Sequence, residues 1–171
     1  ISNNINKAKG WFRKAMEKNK YEGKYYYCYC TKSSHFKYIM DEAFKNNIHI
    51  ETSSAFDINI VENLLENKKI SKSTYVICNG FKRDQYVTNI ARLINNGHKN
   101  TIPIIDNYEE LDLLQAQIPG KMKIGIRIAA EEEPKFEFYT SRLGIGYKNI
   151  VSFYKKQIQE NPNLELKMLH F

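Results

Sequence analysis

Lys24-Tyr-Tyr-Tyr-Cys-Tyr-Cys-Thr-Lys-Ser-Ser34 reads as a strand followed by the turn into a helix. Its tyrosines and threonine favour a pleated, extended backbone. Ser33 and Ser34 can cap the next helix, whose apolar face is Phe36, Ile39, Met40, Ala43 and Phe44. The turn decides between two architectures. An open doubly wound sheet usually carries a glycine-rich first turn from strand to helix. Cys30-Thr-Lys-Ser-Ser34 contains no glycine, so no phosphate-cradling loop is present and a closed (β/α)8 barrel is the favoured architecture.

The same alternation runs outward from this stretch to both ends. Before it, Ile5, Ala8, Trp11, Phe12, Ala15 and Met16 recur at helical spacing. After it, strands are predicted at 48–53, 75–79, 101–106, 121–129 and 164–171. Between them lie helical faces made by Phe56, Ile60, Leu64 and Leu65, then by Tyr86, Val87, Ile90, Leu93 and Ile94. A helix over about 109–117 and one carrying Ile150, Val151, Tyr154 and Ile158 complete the series. Gly80 stops the third strand, and Gly97 suits the residue after a helix C-terminus. Strict alternation implies parallel strands with right-handed crossovers. About six units are present, where a barrel needs eight. The expected fold is therefore α/β, a partial TIM-like barrel. The chain opens at Ile1 without a methionine and closes at the end of a strand. We therefore expect a single domain over 1–171 that is a segment of a larger protein.

Composition excludes several other classes. At 42% hydrophobic and 26% charged residues, the 171-residue chain has the balance of a globular domain and not of a disordered one. No apolar run reaches the roughly 18 residues of a membrane helix, and no charged-then-apolar leader opens the chain. The three cysteines, Cys28, Cys30 and Cys78, form no zinc pattern. An odd count without a leader suits reduced thiols in a cytoplasm. The net charge of +7 comes from 26 basic against 19 acidic residues. The lysines are scattered, without a stripe of arginine and aromatic residues, so the charge reads as a solvated surface and not as a nucleic-acid site. Neither a metal nor a membrane is expected as a partner.

Parity along the strands identifies what faces the barrel interior. On the first strand Tyr26, Cys28, Cys30 and Lys32 share one face. On the second, His49, Glu51 and Ser53 oppose Ile48 and Ile50; on the fifth, Gly125, Arg127 and Ala129 oppose Ile124, Ile126 and Ile128. The isoleucine faces suit packing against helices, and the small or polar faces suit the interior. Lys32, Glu51 and Arg127 then lie near the C-terminal ends of their strands, where active sites of such barrels sit. A Glu51–Arg127 ion pair would offset the cost of burying both charges. Lys32 would face a cavity without a committed partner, and a partly desolvated lysine can attack a carbonyl. The alternative is that Lys32, just past the strand, extends into water. His49 and the two neighbouring cysteines read as interior filling, Tyr25 to Tyr29 as packing, His35 and His98 as surface residues, and Glu131 to Glu133 as a solvated run.

These stretches, taken together, resemble a known family. Lys32, Glu51-Thr-Ser-Ser-Ala-Phe-Asp57, Ile77-Cys-Asn-Gly-Phe-Lys82, Ile124-Gly-Ile-Arg-Ile128, Ser141-Arg-Leu-Gly144 and Leu169-His-Phe171 resemble, in order, the pyridoxal-phosphate-dependent decarboxylases with an alanine-racemase-like barrel. The Asn-Gly-Phe-Lys and Leu-His-Phe stretches are most similar to the biosynthetic arginine decarboxylases of that family. The resemblance implies that Lys32 carries the cofactor and that Glu51 is the acid holding Arg127. Asp57 would stand near the cofactor where the family usually has glutamate, with a capping-box role beside Ser54 as the alternative. Arg142 would lie near a site shared across a dimer. His170 lies beside the position at which the family stacks a histidine on the cofactor ring.

The resemblance also implies a homodimer or higher oligomer and a small amino-acid substrate. The reaction would be the decarboxylation of arginine to agmatine for polyamine synthesis. Ornithine, lysine or diaminopimelate as substrate, or a barrel that binds the cofactor without catalysis, are the alternatives. The phosphate cup, the partner of the pyridine nitrogen and a C-terminal β domain are expected outside this stretch of chain.

Overall fold

A computed structural model describes residues 1–129 and 143–171. Helix α1 (Ser2–Lys18) precedes a parallel sheet of strands β1 (Cys28–Cys30), β2 (His49–Thr52), β3 (Val76–Cys78), β4 (Thr101–Ile105), β5 (Met122–Ala129), β6 (Ile145–Gly146) and β7 (Leu164–His170). Helices α2 (Lys37–Ala43), α3 (Ala55–Glu66), α4 (Asp84–Asn95) and α5 (Tyr108–Gln117) fill the connections between β1 and β5. Helix α6 (Tyr147–Phe153) follows β6 and runs on through a π turn at Tyr154–Ile158. All six expected strands form, and β6 is a further two-residue strand too short to leave a periodic signal.

Strands β1 to β5 pair in sequence order, all parallel, and β5 also carries β6 and β7. Among the described residues no pairing joins β1 to β7, so the sheet is a curved part of a barrel and is not closed. The ladder of β1 starts only at Cys28, opposite His49. Its partner chain enters β2 from the left-handed Asn47, at φ 49°, so the tyrosines before Cys28 have little strand to pair with.

The two faces of the sheet separate as parity requires. Ile48, Ile50, Val76, Cys78, Ile105, Met122, Ile124 and Ile126 are buried in the large core under the helices. Tyr27 and Tyr29 pack against the same core. On the opposite face Ile77, Ile102 and Ile104 form a smaller cluster with Cys28, Tyr75 and Met168. One strand changes face midway. Leu164 and Leu166 pack against the helix-side core, whereas Met168, two residues on, packs inside. A register shift between Ile124 and Gly125 explains this: a bulge puts one extra residue on β7 and re-aims the side chains after it. His170 therefore reaches the interior opposite Arg127.

Several expected buried positions are displaced. In α3 the buried stripe is Ile58, Val61 and Leu64, leaving Phe56 exposed. Leu64 is buried and Ile60 and Leu65 pack against the same core as expected, so Phe56 is the member of the expected face that is lost. Trp11 and Phe12 are also exposed. Helix α1 is held at its N-terminal half, where Ile5 is buried and Lys9 donates to the Asn46 carbonyl at 2.7 Å; further along, Phe12 stacks on Tyr25, at 4.1 Å between ring centres. His98, expected at the surface, is 2% exposed and meets the Thr101 hydroxyl at 2.9 Å. Gly97 stops α4 at φ 95°, and this tight exit folds His98 back under the sheet. His35 is exposed as expected. His49 fills the interior: its Nδ1 accepts the Tyr75 N–H at 3.0 Å, and its ring lies against Tyr26 and Tyr75.

Candidate active site

The C-terminal ends of the strands bring together a set of polar side chains at the open mouth of the sheet. β2 supplies Glu51, whose register partners are Cys30 on β1 and Ile77 on β3. Glu51 Oε1 accepts the Asn79 side-chain N–H at 3.1 Å, and the Cys30 thiol lies 4.0 Å away. Asn79 follows β3, and Gly80 comes next with φ 82°. A side chain at Gly80 would put its Cβ 2.6 Å from the Ser53 carbonyl oxygen. Only glycine accepts both that backbone angle and that close approach, so the loops after β2 and β3 pack against each other.

Arg127 stands near the end of β5 on the interior face. Its Nη1 lies 3.7 Å from Asp106 Oδ1, at the end of neighbouring β4. The expected Glu51–Arg127 pair does not form. Two strands separate β2 from β5 in the sheet, and Asp106, on the strand beside Arg127, takes the cation first. Asp106 is buried, and among the described residues neither carboxylate oxygen receives a hydrogen bond. Burial pushes its carboxyl above the ordinary value, and Lys82 and Arg127 oppose that push.

Lys82 and Glu110 complete the inner wall. The Lys82 ammonium meets Glu110 Oε2 at 3.3 Å with both side chains sealed from solvent. Glu110 sits in the first turn of α5, where its backbone N–H donates to the Asn107 side chain that caps the helix.

His170 lies beside Arg127 in the β5–β7 register. Its Nδ1 is buried without a partner among the described residues. Burial lowers its pKa below that of a free imidazole, Glu51 acts against that shift, and Arg127 adds to it. The neutral ring is therefore favoured at this position.

The remaining expected site residues stand apart from this wall. Lys32 follows β1 in a tight turn closed by the Ser33 N–H on the Cys30 carbonyl, at 3.1 Å. The turn takes Lys32 out of the strand alternation, so it is exposed and not partly desolvated in a cavity. Among the described residues no ion pair or hydrogen bond engages its ammonium. Asp57 is buried in a capping box with Ser54. Its Oδ2 accepts the Thr31 hydroxyl at 2.9 Å and the N–H groups of Ser53 and Ser54 at 2.8 and 3.1 Å. Arg142 lies outside the described residues.

Asn79 and Lys82 entered the sequence reading only within the Ile77–Lys82 stretch that carries the resemblance, without a role of their own, and Asp106 and Glu110 were not singled out. Asp106 had a signal, since it continues the interior parity of Ile102 and Ile104. The contact of Lys82 with Glu110 spans 28 residues and two loops, and no local pattern reports it.

No protein-family model matches the chain. In sequence it is similar to the biosynthetic arginine decarboxylase of Vibrio vulnificus, in strains YJ016 and CMCP6 alike. The identity is 23% over an alignment 171 positions long, which covers 94% of this chain and 27% of each relative. The chain thus spans about a quarter of the length of these curated relatives. In structure it is similar to a diaminopimelate decarboxylase variant from Helicobacter pylori in complex with L-lysine. The TM-score is 0.66 at 17% identity, over 88% of this chain and 38% of that one, a likeness of fold. The sequence relatives named here and the structural one are amino-acid decarboxylases by name, and the chain is weakly similar to the former in sequence and to the latter in fold.

Proposed function

We propose that the chain is the first part of the cofactor barrel of a pyridoxal-phosphate-dependent amino-acid decarboxylase that converts L-arginine to agmatine. The observation that carries this reading is the convergence of Glu51, Asn79, Asp106, Arg127 and His170 at the C-terminal ends of the strands. Several of their buried atoms receive no hydrogen bond among the described residues: Asn79 Oδ1, both Asp106 oxygens and His170 Nδ1. A wall with unmet hydrogen-bonding groups fits a polar ligand better than a packed core, since burying such groups unpaired is costly.

The donor set fits the cofactor. Lys32, exposed at the rim with no ion pair or hydrogen bond to its ammonium among the described residues, supplies a primary amine for an aldehyde. Arg127 supplies a fixed positive charge, and His170 a neutral ring that can lie against another ring. When bound, pyridoxal phosphate delocalises the electron pair released as carbon dioxide leaves. The chain's part is to hold and orient it: Glu51 keeps Asn79 in place and faces His170 electrostatically, while Asp106 holds Arg127. Asp57 fixes the start of α3, and with it the loop beside Lys32, through Thr31.

Arginine as substrate rests on the names of the sequence relatives and on the Asn79-Gly-Phe-Lys82 and Leu169-His-Phe171 stretches. A planar forked guanidinium needs a different set of carboxylates from a compact ammonium, so one substrate should lead clearly. The same reading places the protein in polyamine synthesis in the cytoplasm, as a homodimer or higher oligomer with Arg142 near the shared site. No helix among the described residues is long and apolar enough to cross a membrane. The test is amine formation by the full-length protein from arginine, ornithine, lysine and diaminopimelate, with pyridoxal phosphate added. A lead for arginine supports the proposal. A lead for another of the four moves the substrate, and no decarboxylation of any points to a barrel that binds the cofactor without catalysis.

A further inference from the structure

Glu110 ties the ends of two strands through one carboxylate. Its Oε1 accepts the Lys82 backbone N–H at 3.0 Å, and its Oε2 accepts the Asp106 backbone N–H at 2.9 Å and the Lys82 ammonium at 3.3 Å. Lys82 Nζ also donates to the Gly80 carbonyl at 2.8 Å. The loop after β3, the end of β4 and the first turn of α5 are thereby locked together.

Asp106 has no such anchoring of its own side chain. Its carboxylate is 1% exposed and receives no hydrogen bond among the described residues, and its ion-pair partner is Arg127. A buried carboxylate without compensating charge takes up a proton in preference to remaining ionised. The inner wall balances as Lys82 and Arg127 against Glu110 and Asp106. Without Lys82, two anions share one cation. Glu110, which still accepts the backbone N–H groups of residues 82 and 106, is favoured as the charged partner. Asp106, which accepts none, is the group that neutralises, and it then releases Arg127.

We propose that Lys82 and Glu110 are positioning residues that keep Asp106 as the anionic seat of Arg127, and so set where the Arg127 guanidinium is presented at the mouth. The seat follows from contacts within the chain, whereas its use in holding pyridoxal phosphate rests on the function proposed above.

The test is a double-mutant cycle of D106N and R127M in the full-length protein, read by melting temperature, in the parent and in K82M, K82R and K82M/E110Q backgrounds. K82M leaves Glu110 and Asp106 to share Arg127, whereas K82M/E110Q removes one charge of each sign and keeps the wall balanced. In the parent we expect the two changes to be strongly non-additive, as for residues in direct contact. In the K82M background we expect them to become additive, and in K82R and K82M/E110Q, whose charges balance, to stay coupled. Coupling that persists undiminished in K82M overturns the proposal, as does additivity in the parent or loss of coupling in K82M/E110Q. A second reading by absorbance titration should show D106N and K82M each weakening pyridoxal phosphate about tenfold, equivalent to one pKa unit of coupling. If the parent itself has no affinity for pyridoxal phosphate, the proposed function fails, while the melting cycle still decides the seat.

Discussion

Arg127 on β5 is held by Asp106 on β4, 3.7 Å away, and not by Glu51, which lies two strands farther round the sheet. The consequence is an asymmetry between the two acids. Asp106 is buried with Arg127 as its ionic partner, whereas Glu51 is hydrogen-bonded to the neutral side chain of Asn79.

Arg127→Met should therefore destabilise the protein by about 3 kcal/mol, the lower end for breaking a buried pair because Arg127 is a quarter exposed. Glu51→Gln, which keeps an acceptor for Asn79, should cost less than about 1 kcal/mol. Urea unfolding of both variants measures the difference. An equal and large loss in both would restore the Glu51–Arg127 pairing.

Asp57 gives a second contrast. Its Oδ2 serves the capping box of α3 and the Thr31 hydroxyl together. Loss of the cap costs about 0.5–2 kcal/mol, and the stranded Thr31 hydroxyl adds about 1–3 kcal/mol. Asp57→Ala should thus lower stability by roughly 1.5–5 kcal/mol, with Asp57→Asn milder. Unfolding curves and cofactor titration on the same samples separate this structural role from a direct one. Normal stability with lost cofactor affinity would place Asp57 at the cofactor instead.

The fold was legible because the alternation of strands and helices is a local pattern, and so was the division of the sheet faces, which comes from strand parity. Parity also placed Glu51 and Arg127 inside, and His170 came out inside although a bulge intervenes between Leu166 and Met168. It could not say which inward charges touch, because that depends on strand order and on the reach of each side chain. Asp106 next to Arg127 was hidden for that reason. Lys32 illustrates a different limit: one tight turn after Cys30 ends the alternation, and parity extended one residue too far. His98 was misplaced because a left-handed Gly97 reverses the chain direction, which no count of apolar neighbours registers.

Histidine burial sets a pH dependence. His49, His98 and His170 all have lowered pKa values, with burial the leading cause in each. The folded chain therefore binds these protons less readily than the unfolded chain, whose histidines titrate near about 6.5. The stability this confers is fully present above that pH and is lost as the pH falls from there toward the lower folded values. Melting temperature should drop between about pH 7.5 and 5.5, on either side of that unfolded value. His98→Asn, which can still bond Thr101, should flatten part of that slope. An unchanged slope would show that His98 is not protonated differently in the folded and unfolded chains.

Lys32 is the residue on which the proposed chemistry most directly depends. Its ammonium has no ion-pair partner among the described residues, and it stands exposed at the end of the first strand. The turn that carries it is fastened to β2 by the Thr31 N–H on the Glu51 carbonyl at 3.0 Å. An amine tethered to a rigid strand but free at its tip can reach a ligand without breaking an existing contact. By comparison, Lys82 is committed to Glu110 and the Gly80 carbonyl, so its use would cost a buried ion pair. Borohydride reduction of the full-length protein with pyridoxal phosphate, followed by peptide mapping, should place the pyridoxyl label on Lys32. Lys32→Ala should abolish the label and lower decarboxylation by at least about a hundredfold, the scale on which a positioned catalytic group acts, while leaving the melting temperature within about 1–2 °C, as for an exposed side chain without partners. A label on Lys82 or on any other lysine would move the covalent site and with it the orientation assigned to Arg127 and His170.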